Sequence, residues 1–88
     1  MINHFDLFGQ SVFIRTVTHY YTGRVTNTSE SVIMLEDAAW IADTGRYHIA
    51  LRDGILNEVE PIPSWVIINR EAIVDIVPWN HPLPREAK

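Results

Sequence analysis

The chain has 88 residues, no cysteine, a net charge of −4 and 47% hydrophobic residues. This length suffices for one small hydrophobic core, so we expect a single ordered domain spanning residues 1–88. The acidic balance argues against binding to duplex DNA, which depends on many basic residues, and the lack of cysteine excludes disulfides and thiolate metal sites.

The first strands are predicted from β-branched and aromatic residues. Residues 11–25 indicate one long strand or two strands that bend into each other, with Gly23 at a bend or a close backbone approach. Residues 27–30 are polar and suit a tight connection into a strand at 31–35. We therefore expect a β-hairpin in this half of the chain.

A helix is predicted after a stretch whose structure the pattern leaves open. Residues 36–43 are rich in alanine without clean alternation, so strand, loop and short helix all remain possible. Asp43 or Thr44 can cap a helix start, and Gly54 stands where a left-handed C-terminal cap is expected. The sequence therefore predicts a helical insertion over residues 44–53.

The last part of the chain combines strands with prolines. Residues 57–64 contain two prolines and indicate an edge or a connector, whereas 65–69 and 73–77 read as two strands around a tight turn. The proline-rich tail, residues 78–88, is predicted to pack through Trp79 or to wrap outside the sheet.

This order of elements resembles a small five-stranded Sm-like or SH3-like barrel with one inserted helix. In such barrels alternating apolar residues join the last two strands, and Val66, Ile68, Ile73 and Ile76 occupy those places here. The resemblance implies a mainly β fold flanked by an N-terminal segment, residues 1–10, and the tail. Fold analogy alone carries no function across.

A second resemblance concerns whole stretches of sequence. Residues 20–25 (YYTGRV), 35–46 (LEDAAWIADTGR) and 81–84 (HPLP) resemble a family of small, largely uncharacterised proteins of tailed phages and prophages. This resemblance implies a viral accessory protein or a small virion component, located in the host cytoplasm. It supplies no catalytic residues.

The most chemically dense segment lies around the predicted helix start. Trp40 and Tyr47 could stack on a flat ring, and the guanidinium of Arg46 could bind a phosphate or carboxylate. The alternative is that Trp40 belongs to the core and that Arg46 pairs with Asp43 or Glu36. These three residues are the predicted ligand site.

A second candidate cluster is formed by Arg24 and Tyr21, for which the alternative is a salt bridge across the hairpin. Six of the seven basic residues are arginines, which suit planar pairing with carboxylates or phosphates. The sequence thus predicts either many internal ion pairs or an anion site.

Trp65 and Trp79 flank the last strand pair among several prolines. Exposed tryptophan is unfavourable unless it is covered, so both are predicted either to seal the core or to form a subunit interface. Strand pairing between subunits is a common way to close an open sheet edge, and we expect a homo-oligomer.

No nucleophile motif, phosphate loop or metal-ligand spacing occurs, so we expect neither an enzyme nor a metal site. No apolar run is long enough for a membrane span. The leading hypothesis is a non-enzymatic, phage-type oligomer that holds a small nucleotide-like anion, in this view a signal of host defence. The alternatives are a structural virion or assembly subunit and an Sm-like ring that binds single-stranded RNA.

Overall fold

The computed structural model describes residues 7–88 and has a mainly β fold, which confirms the predicted class. It contains six strands rather than the five expected. Residues 1–6, which belong to the predicted N-terminal segment, lie outside the described residues. The elements are β1 (Ser11–Thr16), β2 (Tyr20–Thr28), β3 (Val32–Asp43), α1 (Tyr47–Asp53), β4 (Glu58–Pro61), β5 (Val66–Asn69), a 3-10 turn (Arg70–Ala72) and β6 (Ile73–Pro78).

The strands form one antiparallel sheet in the order β4-β3-β2-β1-β6. The long strand β3 also pairs with β5 through its first residues, whereas its last residues pair with β4. Residues 36–43, left open by the sequence, therefore belong to this strand. The predicted hairpin between β2 and β3 is confirmed, and β1 and β2 are two strands rather than one.

A β-bulge at Asp37 changes the phase of β3. Thr22 lies opposite Ala39, but Arg24 lies opposite Glu36, so β3 contains one additional residue between these pairs. Asp37 has a φ angle of +50°, in the left-handed region that aspartate tolerates better than most residues. On one face of the sheet, the buried residues of β3 are therefore odd-numbered before the bulge (Ile33 and Leu35) and even-numbered after it (Ala38).

Hydrophobic residues are buried on both faces of the sheet. We call the first group the strand cluster, because all its buried members lie in strands, and the second the helix-side cluster, because α1 and the tail contribute to it. The strand cluster contains Val12, Ile14, Val25, Ile33, Leu35, Ala38 and Ile68. The helix-side cluster contains Phe13, Ala39, Ile41, Ala50, Leu56, Val59 and Trp79.

The helix begins later than the sequence predicts. It spans Tyr47–Asp53 rather than residues 44–53, and its N-cap is Arg46, not Asp43 or Thr44. The reason is local, since Gly45 has a φ angle of +67° and donates its backbone N–H to Asp43 Oδ1 at 2.8 Å, which forms a turn before the helix. The predicted C-cap is confirmed, because Gly54 adopts the left-handed conformation with a φ angle of 74°.

The tail folds back over the helix side of the sheet. Trp79 packs in the helix-side cluster, and the imidazole Nε2 of His81 lies 2.7 Å from the carbonyl oxygen of Leu51 in α1. Farther along, Lys88 and Val59 exchange two backbone hydrogen bonds of 3.0 and 3.2 Å. The tail therefore covers α1 and also the outer edge of β4.

Candidate functional site

The sheet separates the two aromatic residues of the predicted ligand site. Trp40 lies opposite Tyr21 on the neighbouring strand, and its ring centroid is 5.0 Å from that of His19. Ile41, the next residue, packs in the helix-side cluster, and successive residues of a strand point to opposite faces. Trp40 and Tyr47, which also packs against that cluster, are therefore not brought together as a stacking pair.

Tyr47 belongs instead to an aromatic and charged group on the helix side. Its ring packs edge-on against Phe13 at 5.8 Å, and the guanidinium carbon of Arg15 lies 5.6 Å from its ring centroid. Burial raises the pKa of the Tyr47 hydroxyl, with a further contribution from the charge of Asp75. This arrangement holds the helix on the sheet.

Arg46, the predicted phosphate ligand, has an exposed side chain just before α1. Its carbonyl oxygen accepts the first backbone hydrogen bonds of the helix. Its guanidinium forms no hydrogen bond or ion pair with any residue between 7 and 88. The alternative pairing of Arg46 with Asp43 or Glu36 is also absent from this part of the chain: Asp43 accepts the N–H of Gly45, and Glu36 lies near Arg24. Of the predicted ligand residues, Arg46 alone keeps a free charged group.

Arg24 forms the salt bridge across the hairpin that the sequence offered as an alternative. Its Nη1 donates to Asp37 Oδ2 at 2.5 Å, and its Nη2 lies 3.9 Å from Glu36 Oε1. This hydrogen bond lowers the pKa of the Asp37 carboxyl. Tyr21 packs against the strand cluster and takes no part in this group.

The other arginines are also engaged within the chain. Arg15 donates a bidentate pair of hydrogen bonds to Asp75, and Arg52 does so to Asp53. Arg70 donates to the carbonyl oxygen of Ser29 at 2.6 Å, which ties the 3-10 turn to the β2–β3 connection. The excess of arginine over lysine therefore mostly serves internal pairing, as planar guanidinium groups allow.

A pocket lies where the β3 bulge meets the tail. It has a volume of about 400 Å³ and is lined by Asp37 of the bulge, Arg85 and Pro84 of the tail, and residues 61–63, which include two further prolines. Arg85 Nη1 lies 3.5 Å from Asp37 Oδ1, so Asp37 faces two guanidinium groups. Sequence reasoning missed this site because neither the bulge nor the return of the tail can be read from local patterns.

The two tryptophans predicted to form an interface occupy different environments. Trp65, just before β5, is 56% exposed. Trp79 is only 3% exposed and stacks on Phe13 with a centroid separation of 5.8 Å, which is the core-sealing alternative. Only Trp65 therefore offers a surface to a partner.

Comparison with known proteins adds no family to these observations. No family model matches the chain, and no curated protein is similar to it.

Within residues 7–88, no group of three or more histidine, aspartate or glutamate side chains could hold a metal ion. His4 lies outside the described residues. The helix described above is too short to cross a membrane, and no other helix within that range could do so.

Proposed function

We propose that this protein is a non-enzymatic binding protein that self-associates through β5. The observation that carries this proposal is the exposure of Trp65 and Ile67, at 56% and 48%. They are two residues apart along an extended segment, so their side chains lie on the same face. Large apolar side chains exposed together in a small protein are typical of an interface.

The edge of β5 supports the same proposal. Within residues 7–88, β5 pairs only with β3, which leaves its second edge without a strand partner. Natural sheet edges are commonly protected by charged residues or proline, but residues 64–69 (SWVIIN) contain neither. A second copy is a suitable partner, because antiparallel pairing of this segment with itself places no like charges opposite each other.

We further propose that this interface lies on a small barrel that is left open between β5 and β6. A single 3-10 turn joins these two strands at one end, and each pairs with a different strand, so the second edge of β5 stays available to another copy. The strands β1, β2, β3, β5 and β6 then correspond to the five strands of an Sm-like or SH3-like barrel. In this assignment β4 and α1 are the insertion, and β4 is the sixth strand.

A small anionic ligand, nucleotide-like in the leading hypothesis, remains part of the proposed function. The observations that favour it are the free side chain of Arg46 and the loosely paired one of Arg85. Sequestration of a host-defence signal by a phage protein would use such a site. The alternative of an RNA-binding ring has less support, because five of the six arginines have partners within the chain.

An assembly subunit that contacts other proteins would use the same face of Trp65 and Ile67 as the oligomer. This structural alternative predicts that the protein is a component of purified particles. Its absence from particles, together with a defined homo-oligomer in solution, would support the binding protein instead.

The proposal is tested by the mass of the protein in solution, measured by light scattering after size exclusion and by native mass spectrometry. We expect a mass that is a multiple of the monomer and a weakening of association by about thirtyfold in Trp65→Ser, since tryptophan hot spots contribute about 2 kcal/mol or more. Ile55→Ser is the matched control, because Ile55 is also 56% exposed but lies in the connection between α1 and β4 rather than in or beside β5. A monomeric wild type at high micromolar concentration would contradict the proposal.

A further inference from the structure

The pocket between the β3 bulge and the tail has the composition of a ligand site. Three separate segments form it: Asp37 with Ala38, residues 61–63, and Pro84 with Arg85. The backbone N–H of Ile62 donates to the carbonyl oxygen of Ala38 at 2.8 Å, and this bond fixes the second segment to the bulge. The Lys88–Val59 backbone pair holds the tail beside them. The walls are therefore anchored from both sides.

The walls of this pocket offer few hydrogen-bond donors. Pro61, Pro63 and Pro84 lack an N–H, and the N–H of Ile62 is already used. The side chain of Ile62 contributes apolar surface. Among the lining side chains, only the guanidinium of Arg85 can donate. A ligand would therefore contact an apolar wall, one cationic group and the carboxylate of Asp37, whose charge is paired with Arg24.

Arg85 keeps most of its donors available. Its side chain is 69% exposed, and its one ion-pair contact, to Asp37 Oδ1, is 3.5 Å long. The other carboxylate oxygen of Asp37 accepts the 2.5 Å hydrogen bond from Arg24. Because a guanidinium has five N–H groups, Arg85 can bind an anion in bidentate fashion while it stays near Asp37.

Arg24 and the bulge position this group rather than bind the ligand. The bond from Arg24 holds the carboxylate of Asp37 at a backbone position with positive φ. Asp37 in turn restrains Arg85 at the pocket. Because Arg24 donates the shorter hydrogen bond to Asp37, the N–H groups of Arg85 that do not face Asp37 stay available to an anion.

We propose that this pocket binds a small organic anion with one flat apolar ring, such as an aryl phosphate. A volume of about 400 Å³ lies at the lower end of the range for ligand pockets, which suits a single ring system with one anionic group. The proline rings pack against the flat face, and Arg85 binds the anion. This inference deepens the anionic-ligand part of the proposed function and is independent of self-association through β5.

The experiment measures binding of phenyl phosphate to the wild-type protein by calorimetry and by NMR shifts of Asp37 and Ala38. Inorganic phosphate and phenol are the two partial probes, and each should bind more weakly than phenyl phosphate. Adenosine monophosphate tests whether a nucleoside can replace the phenyl ring. Equal binding of phosphate and phenyl phosphate would overturn the role of the apolar wall.

Arg85→Gln should weaken phenyl phosphate binding by about tenfold, since a hydrogen bond to a charged group contributes about 1.5 kcal/mol or more. Arg52→Gln is the matched control, because Arg52 is 66% exposed but is paired with Asp53 on α1. Equal weakening in both variants would indicate general charge attraction and overturn the inference. Weakening by Arg46→Gln alone would move the site to the helix start, which overturns the pocket but keeps an anionic ligand. If no probe binds, both the pocket and the anionic-ligand part of the proposed function are refuted. Self-association is tested separately by the mass of the protein.

Discussion

The two hydrophobic clusters share one sheet but are covered in different ways. The buried members of the strand cluster all come from strands, and the loop residues Leu7 and Ile62 pack against them only as partly buried side chains. The helix-side cluster needs Ala50 of α1, Leu56 of the following loop and Trp79 of the tail. The buried core on one face is thus formed by strand residues alone, whereas the core on the other face also needs α1, the following loop and the tail.

This difference explains an unusual feature of β1. Val12, Phe13 and Ile14 are consecutive and all buried, although a strand with one solvent-exposed face would alternate. Phe13 points to the helix side, and its two neighbours point to the strand cluster. A sheet covered on both faces requires such a continuous apolar run.

The largest expected effect comes from truncating neighbouring residues of β1 that face opposite clusters. Phe13→Ala should lower the free energy of unfolding by about 3–5 kcal/mol and Ile14→Ala by about 2–5 kcal/mol, because both side chains are fully buried. Phe13→Ala should also shift Trp79 fluorescence and accelerate hydrogen exchange in α1, since Phe13 contacts both Tyr47 and Trp79.

Urea denaturation and hydrogen exchange check this pair, with Phe13→Leu and Ile14→Val as milder variants if the alanine variants fail to fold. In the Ile14 variants, hydrogen exchange in α1 should accelerate only by as much as the loss of global stability accounts for. Equal local loosening of α1 in both variants would show that the two faces are one cooperative unit and break the comparison.

A smaller effect is expected from adding one methyl group at a glycine on each side. A Cβ at Gly23 would lie 3.0 Å from Leu35 Cβ and 3.2 Å from Ala38 Cβ, both of which are fixed by the strand backbone. Gly23→Ala should therefore cost about 1–3 kcal/mol through overpacking. Gly54→Ala should cost about 1–2 kcal/mol, because alanine disfavours the left-handed conformation. The new Cβ would also lie 2.6 Å from His81 Cγ, so the imidazole would have to move.

Thermal unfolding measures both costs, and the NMR signals of His81 distinguish them. Only Gly54→Ala should change the environment of His81, because that imidazole packs beside Gly54 and bonds to Leu51 of α1. A change at His81 in Gly23→Ala would show that the strand cluster controls the docking of the tail.

The strand elements could be predicted where the local pattern is decisive. The β2–β3 hairpin, the last two strands around a tight turn and the Gly54 cap each depend on residues close together in the chain, and all three are confirmed. The last two strands do not pair with each other, however, since β5 pairs with β3 and β6 with β1. The second half of β3 could not be predicted, because the bulge at Asp37 interrupts its alternation. Alternation predicts a strand only while every second residue points to the same face, and the bulge changes which residues do so within β3.

The ligand site was harder to predict than the fold. Trp40 and Tyr47 are close in sequence, but strand geometry directs Trp40 away from the helix side on which Tyr47 packs. Arg85 and Asp37 are far apart in sequence, and only the return of the tail brings them together. Sequence proximity therefore suggested a cluster that does not form, and the pocket that does form depends on long-range packing.

The smallest expected effect concerns the ion pair of Arg15 and Asp75, which joins β1 to β6 on the helix side. The hydrogen bonds from Arg15 lower the pKa of the Asp75 carboxyl in the folded state. A carboxyl group with a lowered pKa stabilises the fold above its ordinary pKa, near 4, and loses that contribution as the pH falls through the lowered value. The contribution is small because both side chains are partly exposed to solvent.

Asp75→Asn should therefore reduce stability slightly at neutral pH and flatten the loss of stability between about pH 5 and pH 2, measured by urea denaturation across that range. Asp53→Asn is the control. Arg52 also lowers the pKa of Asp53, but the two residues are adjacent in the sequence. Arg52 stays beside Asp53 in the unfolded chain, so unfolding changes the Asp53 pKa less. Asp75 loses its partner on unfolding, since Arg15 lies 60 residues away in the sequence. An equal flattening in both variants would mean that the acid sensitivity does not come from pairing between β1 and β6.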